Sequence, residues 1–369
     1  MKPLKFKPLL KQTLWGGNRI KEIKGIANER HGTRSNVRVQ LDFDEVKGIA
    51  NERYGTRSNV RVQPDLDEVK GIDTDMDDIG ESWEISGVKG NETIVADGPY
   101  SGTPLNTLVA TLKGDLVGKE NYKRYGDEFP LLIKFIDARQ DLSIQVHPSD
   151  EIAKRQGKDR GKTEMWYILD SDNDAKLYNG LKKAITPEEY KTMVADDTIT
   201  EALAQYSVRE GDVFFIPAGR IHAIGRGCFV AEIQQTSDVT YRIYDFKRKD
   251  KNGKYRQLHT DEAAECIDYS VKEDYRTYYD MTAGSNEVVV DCPYFTTSVC
   301  NVKGSCHINT ADTDSFVILI ATRGEAVLID SFGNTTPLRA GETILFPAVC
   351  SHIDVMGDIT LLQTSSLHP

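Results

Sequence analysis

Leu142-Ser143-Ile144-Gln145-Val146-His147-Pro148 alternates apolar and polar side chains, and this period of two reads as a β-strand. On that reading Ser143, Gln145 and His147 share one face, and Leu142, Ile144 and Val146 share the other. Alone, a Ser-Gln-His face would simply meet water. Further on, Gly211-Asp-Val-Phe-Phe-Ile-Pro217-Ala-Gly219-Arg-Ile-His222 is an apolar strand that stops at a proline, turns on a glycine and delivers a histidine. Between the two lies Lys162-Thr163-Glu164-Met165-Trp166-Tyr167-Ile168-Leu169, an aromatic-rich strand whose one acid is Glu164. Cys228 to Gln235 alternates again and sets Val230, Glu232 and Gln234 on one face. Barrel interiors are ordinarily filled with apolar side chains, so polar faces on several strands point to an interior used as a site.

The corner from Gly211 to His222 resembles the second half of the cupin motif, in which a strand-turn-strand brings a metal-binding histidine back into a barrel. Gln145, His147, Glu164 and His222 would then form a nitrogen and oxygen ligand set, which suits Zn2+, with manganese, iron or cobalt also open because no thiolate makes the site soft. The resemblance narrows with four further features. Ser143-Ile-Gln145-Val-His147-Pro148, Glu164-Met-Trp-Tyr, Pro217-Ala-Gly-Arg-Ile-His222 and Ser237-Asp238-Val-Thr-Tyr-Arg242-Ile-Tyr-Asp245-Phe246 look like the signatures of type I mannose-6-phosphate isomerases. Trp15-Gly16-Gly17 and Gly80-Glu81-Ser82-Trp83-Glu84 resemble the shorter bacterial form of that family.

The bulk properties agree with a soluble globular chain. It has 369 residues, 39% hydrophobic and 28% charged, which is room for two or three modest domains. A formal net charge of -11 and a pI near 5.3 argue against nucleic acid or an anionic membrane as partner. No apolar run approaches a membrane span, and Met1-Lys2-Pro3-Leu4-Lys5-Phe6 lacks a signal-peptide core, so a cytoplasmic protein is expected. Cys228, Cys266, Cys292, Cys300, Cys306 and Cys350 show no zinc-type pair spacing and read as free thiols.

Along the chain, residues 1 to about 23 read as extended segments with a tight corner at Trp15-Gly16-Gly17. The stretch Lys24 to Gln40 recurs almost unchanged as Lys47 to Gln63, with Tyr54 replacing His31, and a third copy begins at Lys70 before diverging. Such polar copies cannot bury a solenoid core, so 24–70 is expected to be a tandem-repeat insertion forming an exposed loop. A helix is expected over Leu105 to Leu116, and a loop over Glu151 to Lys162. Thr186-Pro187-Glu188-Glu189 carries a capping-box acid and a proline at the first helical position, and Thr200 to Gln205 reads as a second helix, making 182–208 a small helical insert. Past residue 280 come Glu287 to Val290, Phe295 to Val302, Phe316 to Ala321 and Ala326 to Ile329, all strand-like. Gly341-Glu342-Thr-Ile-Leu-Phe-Pro347-Ala-Val-Cys-Ser-His352 then echoes Gly211 to His222 without a Gln-x-His strand or a matching Glu, so His352 reads as structural.

The expected fold is mostly β, with two cupin-type β-barrels (jelly rolls): a metal-binding unit over 1–270 and a degenerate one over 271–369. The resemblance implies interconversion of mannose 6-phosphate and fructose 6-phosphate through an enediolate, with one Zn2+ per chain. It also implies Arg242, Glu232 and Asp238 as catalytic residues, and Ser143 and Lys162 as substrate-binding ones. Glu232 is the first candidate for the proton-transfer base, while Arg242 would neutralise either enediolate or phosphate. The expected partner is a small sugar phosphate, with no nucleic acid or membrane, and the chain is expected to be a monomer or homodimer. Two rivals share the barrel, a metal-dependent cupin oxygenase and a non-catalytic sugar-binding bicupin, and neither requires the pairing of Lys162 with Arg242.

Overall fold

The computed structural model of the chain describes residues 1–25, 78–250, 252–282 and 284–366. The repeats from residue 26 onward lie outside the described residues.

Two antiparallel sheets face each other in the first barrel. The larger has seven strands in the order Arg276–Thr277, Val213–Ile216, Glu164–Ser171, Cys228–Gln235, Leu131–Asp137, Ile79–Ser86 and Leu9–Gly17. The smaller has five, in the order Tyr241–Tyr244, Ile144–Val146, His222–Ile224, Lys176–Leu181 and Leu203–Ser207. Their facing sides enclose Trp15, Trp166, Leu177, Phe214, Ile224 and Val230 as an apolar floor. The back of the five-stranded sheet buries Ile144, Val146, Ala223 and Ile243 under the helices Pro187–Ala195 and Thr260–Cys266. This is the apolar face that the alternation at 142–148 predicts, with the polar residues turned inward. Leu142 departs from it, since it precedes the strand and packs with the barrel floor.

The back of the seven-stranded sheet, with Ile133, Phe135, Met165, Tyr167 and Ile233, packs on Phe295, Phe316, Ile318, Leu345 and Leu362 of the second barrel. The two halves therefore share a core. The second barrel is built on the long strands Val317–Asp330 and His352–Ser365, which pair with each other and with Asn286–Asp291, Thr296–Val302, Ser305–Asn309, Thr335–Arg339 and Thr343–Phe346 through a connected ladder. Its interior is filled by Val302, Ile308, Leu319, Leu328, Leu338, Ile344, Phe346, Ile353 and Leu361. His352 takes no part in that interior and stacks on His307 at 5.4 Å between ring centroids.

Several local expectations are corrected. Thr200 to Gln205 is not a helix: a 3-10 turn, Ile199–Ala202, leads into the strand Leu203–Ser207, which pairs with Lys176–Leu181. A sheet edge open to pairing outweighs local helical preference there. The expected loop over 151–162 begins as a helix, Asp150–Arg155, whose first turn is capped by Ser149 Oγ accepting from the Ile152 N–H at 3.3 Å. Arg19–Ile23 is helical rather than extended. The helix expected over 105–116 breaks at Lys113, whose φ of 51° no helix tolerates, into Leu105–Leu112 and Gly114–Val117. The expected strands Phe316 to Ala321 and Ala326 to Ile329 fall, but for Phe316, in the one strand Val317–Asp330, irregular between Ala321 and Arg323.

Candidate metal centre

Three neighbouring strands bring the sequence-predicted ligands together. His222 stands directly opposite Gln145 in the five-stranded sheet, and Glu164 starts the facing strand. Gly219 makes the corner possible. Its φ is +91°, and a Cβ there would stand 2.8 Å from the Cys266 carbonyl oxygen, so only glycine fits; its N–H donates to the His147 carbonyl at 2.8 Å. Arg220 fastens the turn by donating to the Phe215 carbonyl at 2.8 Å and lying over the Tyr275 ring.

His147 Nε2 lies 3.5 Å from Glu164 Oε2, His222 Nε2 lies 3.3 Å from Glu164 Oε1, and Gln145 Nε2 lies 3.3 Å from His222 Nε2. Ligand atoms of His147, Glu164 and His222 all fall within 4.8 Å of one another. The Nδ1 of His147 faces the Val239 carbonyl and that of His222 the Arg220 carbonyl, each at 2.8 Å. Carbonyls only accept, so Nδ1 carries the proton on both rings and the Nε2 lone pairs point at Glu164. Burial, with the positive Lys162 nearby, holds His147 well below the usual histidine range; burial takes His222 down to about 3. Both imidazoles are therefore neutral, the form that binds a metal. Burial, reinforced by the charge of Glu232, raises Glu164, and Lys162 opposes that rise. Apart from the close ion pair with Lys162, neither Glu164 oxygen has a hydrogen-bond partner.

A cation already meets these lone pairs. Lys162 Nζ stands 2.6 Å from Glu164 Oε2 and 3.2 Å from His147 Nε2, fully inside the protein. Neutral imidazoles with fixed tautomers and a buried carboxylate gathered at one place, with the Gln145 amide beside them, fit a divalent ion with nitrogen and oxygen ligands.

Behind this set lies a second charged layer. Glu232 is buried and receives the Trp166 Nε1–H at 2.9 Å, with Lys134 Nζ at 3.1 Å and Lys162 Nζ at 3.6 Å. Burial alone would raise Glu232, but Lys162 and Lys134 outweigh it and hold the carboxylate below its usual range. Burial would lower Lys134; Glu232 and Glu81 reverse this and raise it. Lys134 is the residue that sequence reasoning missed. Its signal was a single cation inside the apolar run Phe129 to Ile136.

Not every expected residue joins the cluster. Ser143 is buried beside Ile144–Val146. Arg242 pairs with Gln145 in the ladder, which puts it on the inward face of the five-stranded sheet, toward the chamber between the two facing sheets, yet its Nη1 donates to the Gln257 carbonyl at 2.9 Å. Asp238 is exposed and lines a cleft of about 640 Å³ with Lys158, Arg160, Ser237 and His259. That cleft is lined by none of Gln145, His147, Glu164 and His222 and adjoins them through Val239, whose carbonyl holds His147.

The family model for the type I phosphomannose isomerase catalytic domain matches residues 45–178, and that for the mannose-6-phosphate isomerase cupin domain matches 285–366. The chain is 36% identical over 271 residues to mannose-6-phosphate isomerase ManA of Bacillus subtilis, covering 73% of this chain and 83% of that one. It is 32% identical over 289 residues to the mannose-6-phosphate isomerase of Streptococcus mutans, covering 78% and 88%. The crystal structure of a mannose 6-phosphate isomerase from Bacillus subtilis superposes with a TM-score of 0.73 at 26% identity, over 99% of each chain. With two barrels and matches in both halves, the chain belongs to the type I phosphomannose isomerase family.

Proposed function

We propose that this chain interconverts mannose 6-phosphate and fructose 6-phosphate, with one Zn2+ held by Gln145, His147, Glu164 and His222. The observation that carries the reading is the pair of neutral, buried histidines with fixed tautomers aimed at the buried carboxylate of Glu164. The isomerisation moves a weakly acidic proton between neighbouring carbons through an enediolate. Bound zinc would supply Lewis-acid stabilisation of the oxygens on those carbons without redox chemistry.

The chain's own residues do the rest. Glu232 stays ionised between Lys134 and Lys162, so it is in the state that accepts a proton, at the cost of low basicity while both lysines stay close. Lys162 and Arg242 are the cations on the chamber side, for the enediolate or the phosphate, and Ser143 is a hydroxyl donor for the phosphate. Asp238 lines the adjoining cleft and would act from there. We assign the chemistry to residues 1–270 and a supporting role to 271–369. Among the described residues no helix is long and apolar enough to cross a membrane.

Purified protein assayed in both directions, with chelator and after zinc addition, tests the reading. Activity lost to chelator and restored by zinc is expected; metal-replete protein that converts neither sugar phosphate refutes it.

A further inference from the structure

Among the described residues, two buried side chains have both polar atoms without a hydrogen bond, Glu164 and Asn179. Glu164 is accounted for by the ligand set and its ion pair with Lys162. Nothing described so far accounts for Asn179. It is 0% exposed, on the strand Lys176–Leu181, and a carboxamide left alone in a protein interior is unfavourable enough that each case calls for an explanation.

The sheet register supplies one. His222 pairs with Gln145 on one side and with Asn179 on the other. Residues directly opposite in antiparallel strands share a face, so Arg242, Gln145, His222 and Asn179 form one row across the five-stranded sheet. Asn179 therefore stands on the chamber face, one strand beyond the ligand histidine. Two residues before it, Leu177 belongs to the apolar floor with Trp166 and Phe214, which offers an amide no partner.

We propose that Asn179 is a substrate-positioning residue whose carboxamide hydrogen-bonds a hydroxyl of the bound sugar phosphate, an assignment that rests on the isomerase reading above. The chemistry of the group selects the partner. An amide presents a donor and an acceptor without charge, which matches an alcohol that also donates and accepts. A phosphate would use only the donor half and set its charge against Oδ1, and neither Lys162 nor Arg242 is hydrogen-bonded to Asn179 to offset that charge. A site built to bond a hydroxyl also discriminates against analogues that lack it, so Asn179 is a specificity determinant.

The test uses the full chain loaded with zinc and compares wild type with Asn179→Leu, which keeps the volume, and Asn179→Ser, whose hydroxyl still donates and accepts and which serves as the second variant should leucine fail to fold. In Asn179→Leu, kcat/KM for mannose 6-phosphate should fall roughly ten-fold or more, because the sugar hydroxyl loses its partner. Metal content should not change, and the melting temperature should hold or rise because an unpartnered amide has gone. Asn179→Ser should recover part of the loss. Among 3-, 4- and 5-deoxy mannose 6-phosphates, one should be a poorer substrate than its parent for wild type and equal to it for Asn179→Leu. Calorimetric titration with mannose 6-phosphate separates the two readings: wild-type protein that binds without turning over, with weaker binding by the variant, keeps this assignment and defeats the isomerase reading. Wild-type kinetics and binding in the variants overturn it, as does a lower melting temperature with unchanged kinetics, the mark of an amide that merely holds a buried water.

Discussion

Lys134 Nζ lies 3.1 Å from Glu232 Oε1 with both side chains buried, on directly opposed positions of adjacent strands. Removing Lys134 leaves the Glu232 charge buried away from water with only the more distant Lys162, at 3.6 Å, to balance it. Lys134→Met should therefore cost about 3 kcal/mol, whereas the double variant Lys134→Met, Glu232→Gln should cost less than the sum of the singles. Urea unfolding of the four proteins checks this, and strict additivity would show that the pair is not coupled.

The same pair sets a pH window. Glu232 is depressed in the folded state, so its contribution is present above the unfolded carboxyl value of about 4.3 and is lost as pH falls below it. Lys134 is raised, so its contribution is present below the unfolded value of about 10.4 and is lost as pH climbs past it. Glu232→Gln should therefore show a shallower loss of stability than wild type in acid. Parallel unfolding curves for the two proteins between neutral and acid pH would rule out the ion pair as the cause.

Metal retention follows from His147 and His222, whose Nδ1 protons are each committed to a carbonyl. His147→Ala with His222→Ala removes both nitrogen ligands and should abolish binding of one metal equivalent per chain. Elemental analysis of the purified variant decides it; a retained equivalent would place the metal elsewhere.

The two histidines and Glu164 were legible because their signals are local: a strict alternation, and a Pro-Gly corner of fixed length before His222. Lys134 was not, because its meaning depends on a carboxylate 98 residues away in the chain. The strand Leu203–Ser207 was misread for a similar reason, since its partner, Lys176–Leu181, lies across an intervening helix. Asn179 shows the same limit. Between a tyrosine and a glycine it reads as a turn residue, and only the register with His222 turns it toward the chamber.

The tandem repeats call for a deletion. The catalytic family model begins matching at residue 45, so one copy satisfies the resemblance. Removing 24–46 joins Ile23 to Lys47, which restores Lys-Gly-Ile after Ile23 and leaves the second copy whole. Wild-type turnover is expected; a folded but inactive deletion would assign the duplicated segment a part in the reaction.

The proton-transfer step separates Glu232 from Arg242. Glu232→Gln keeps the size of the side chain and still accepts from Trp166 Nε1, but has no basicity, so turnover should fall by roughly 10² or more with little change in metal content or KM. Arg242→Lys keeps a charge and loses the planar fork. Loss of kcat would place the guanidinium against the enediolate, and a raised KM would place it against the phosphate. Exchange of the carbon 2 proton of mannose 6-phosphate with solvent deuterium is the direct readout. Because Lys134 and Lys162 hold Glu232 ionised but weakly basic, exchange in Glu232→Gln should nearly vanish only if substrate binding draws at least one lysine away. Exchange at the wild-type rate would leave Glu232 as the counter-ion of the two lysines and assign the proton to another group of the chamber.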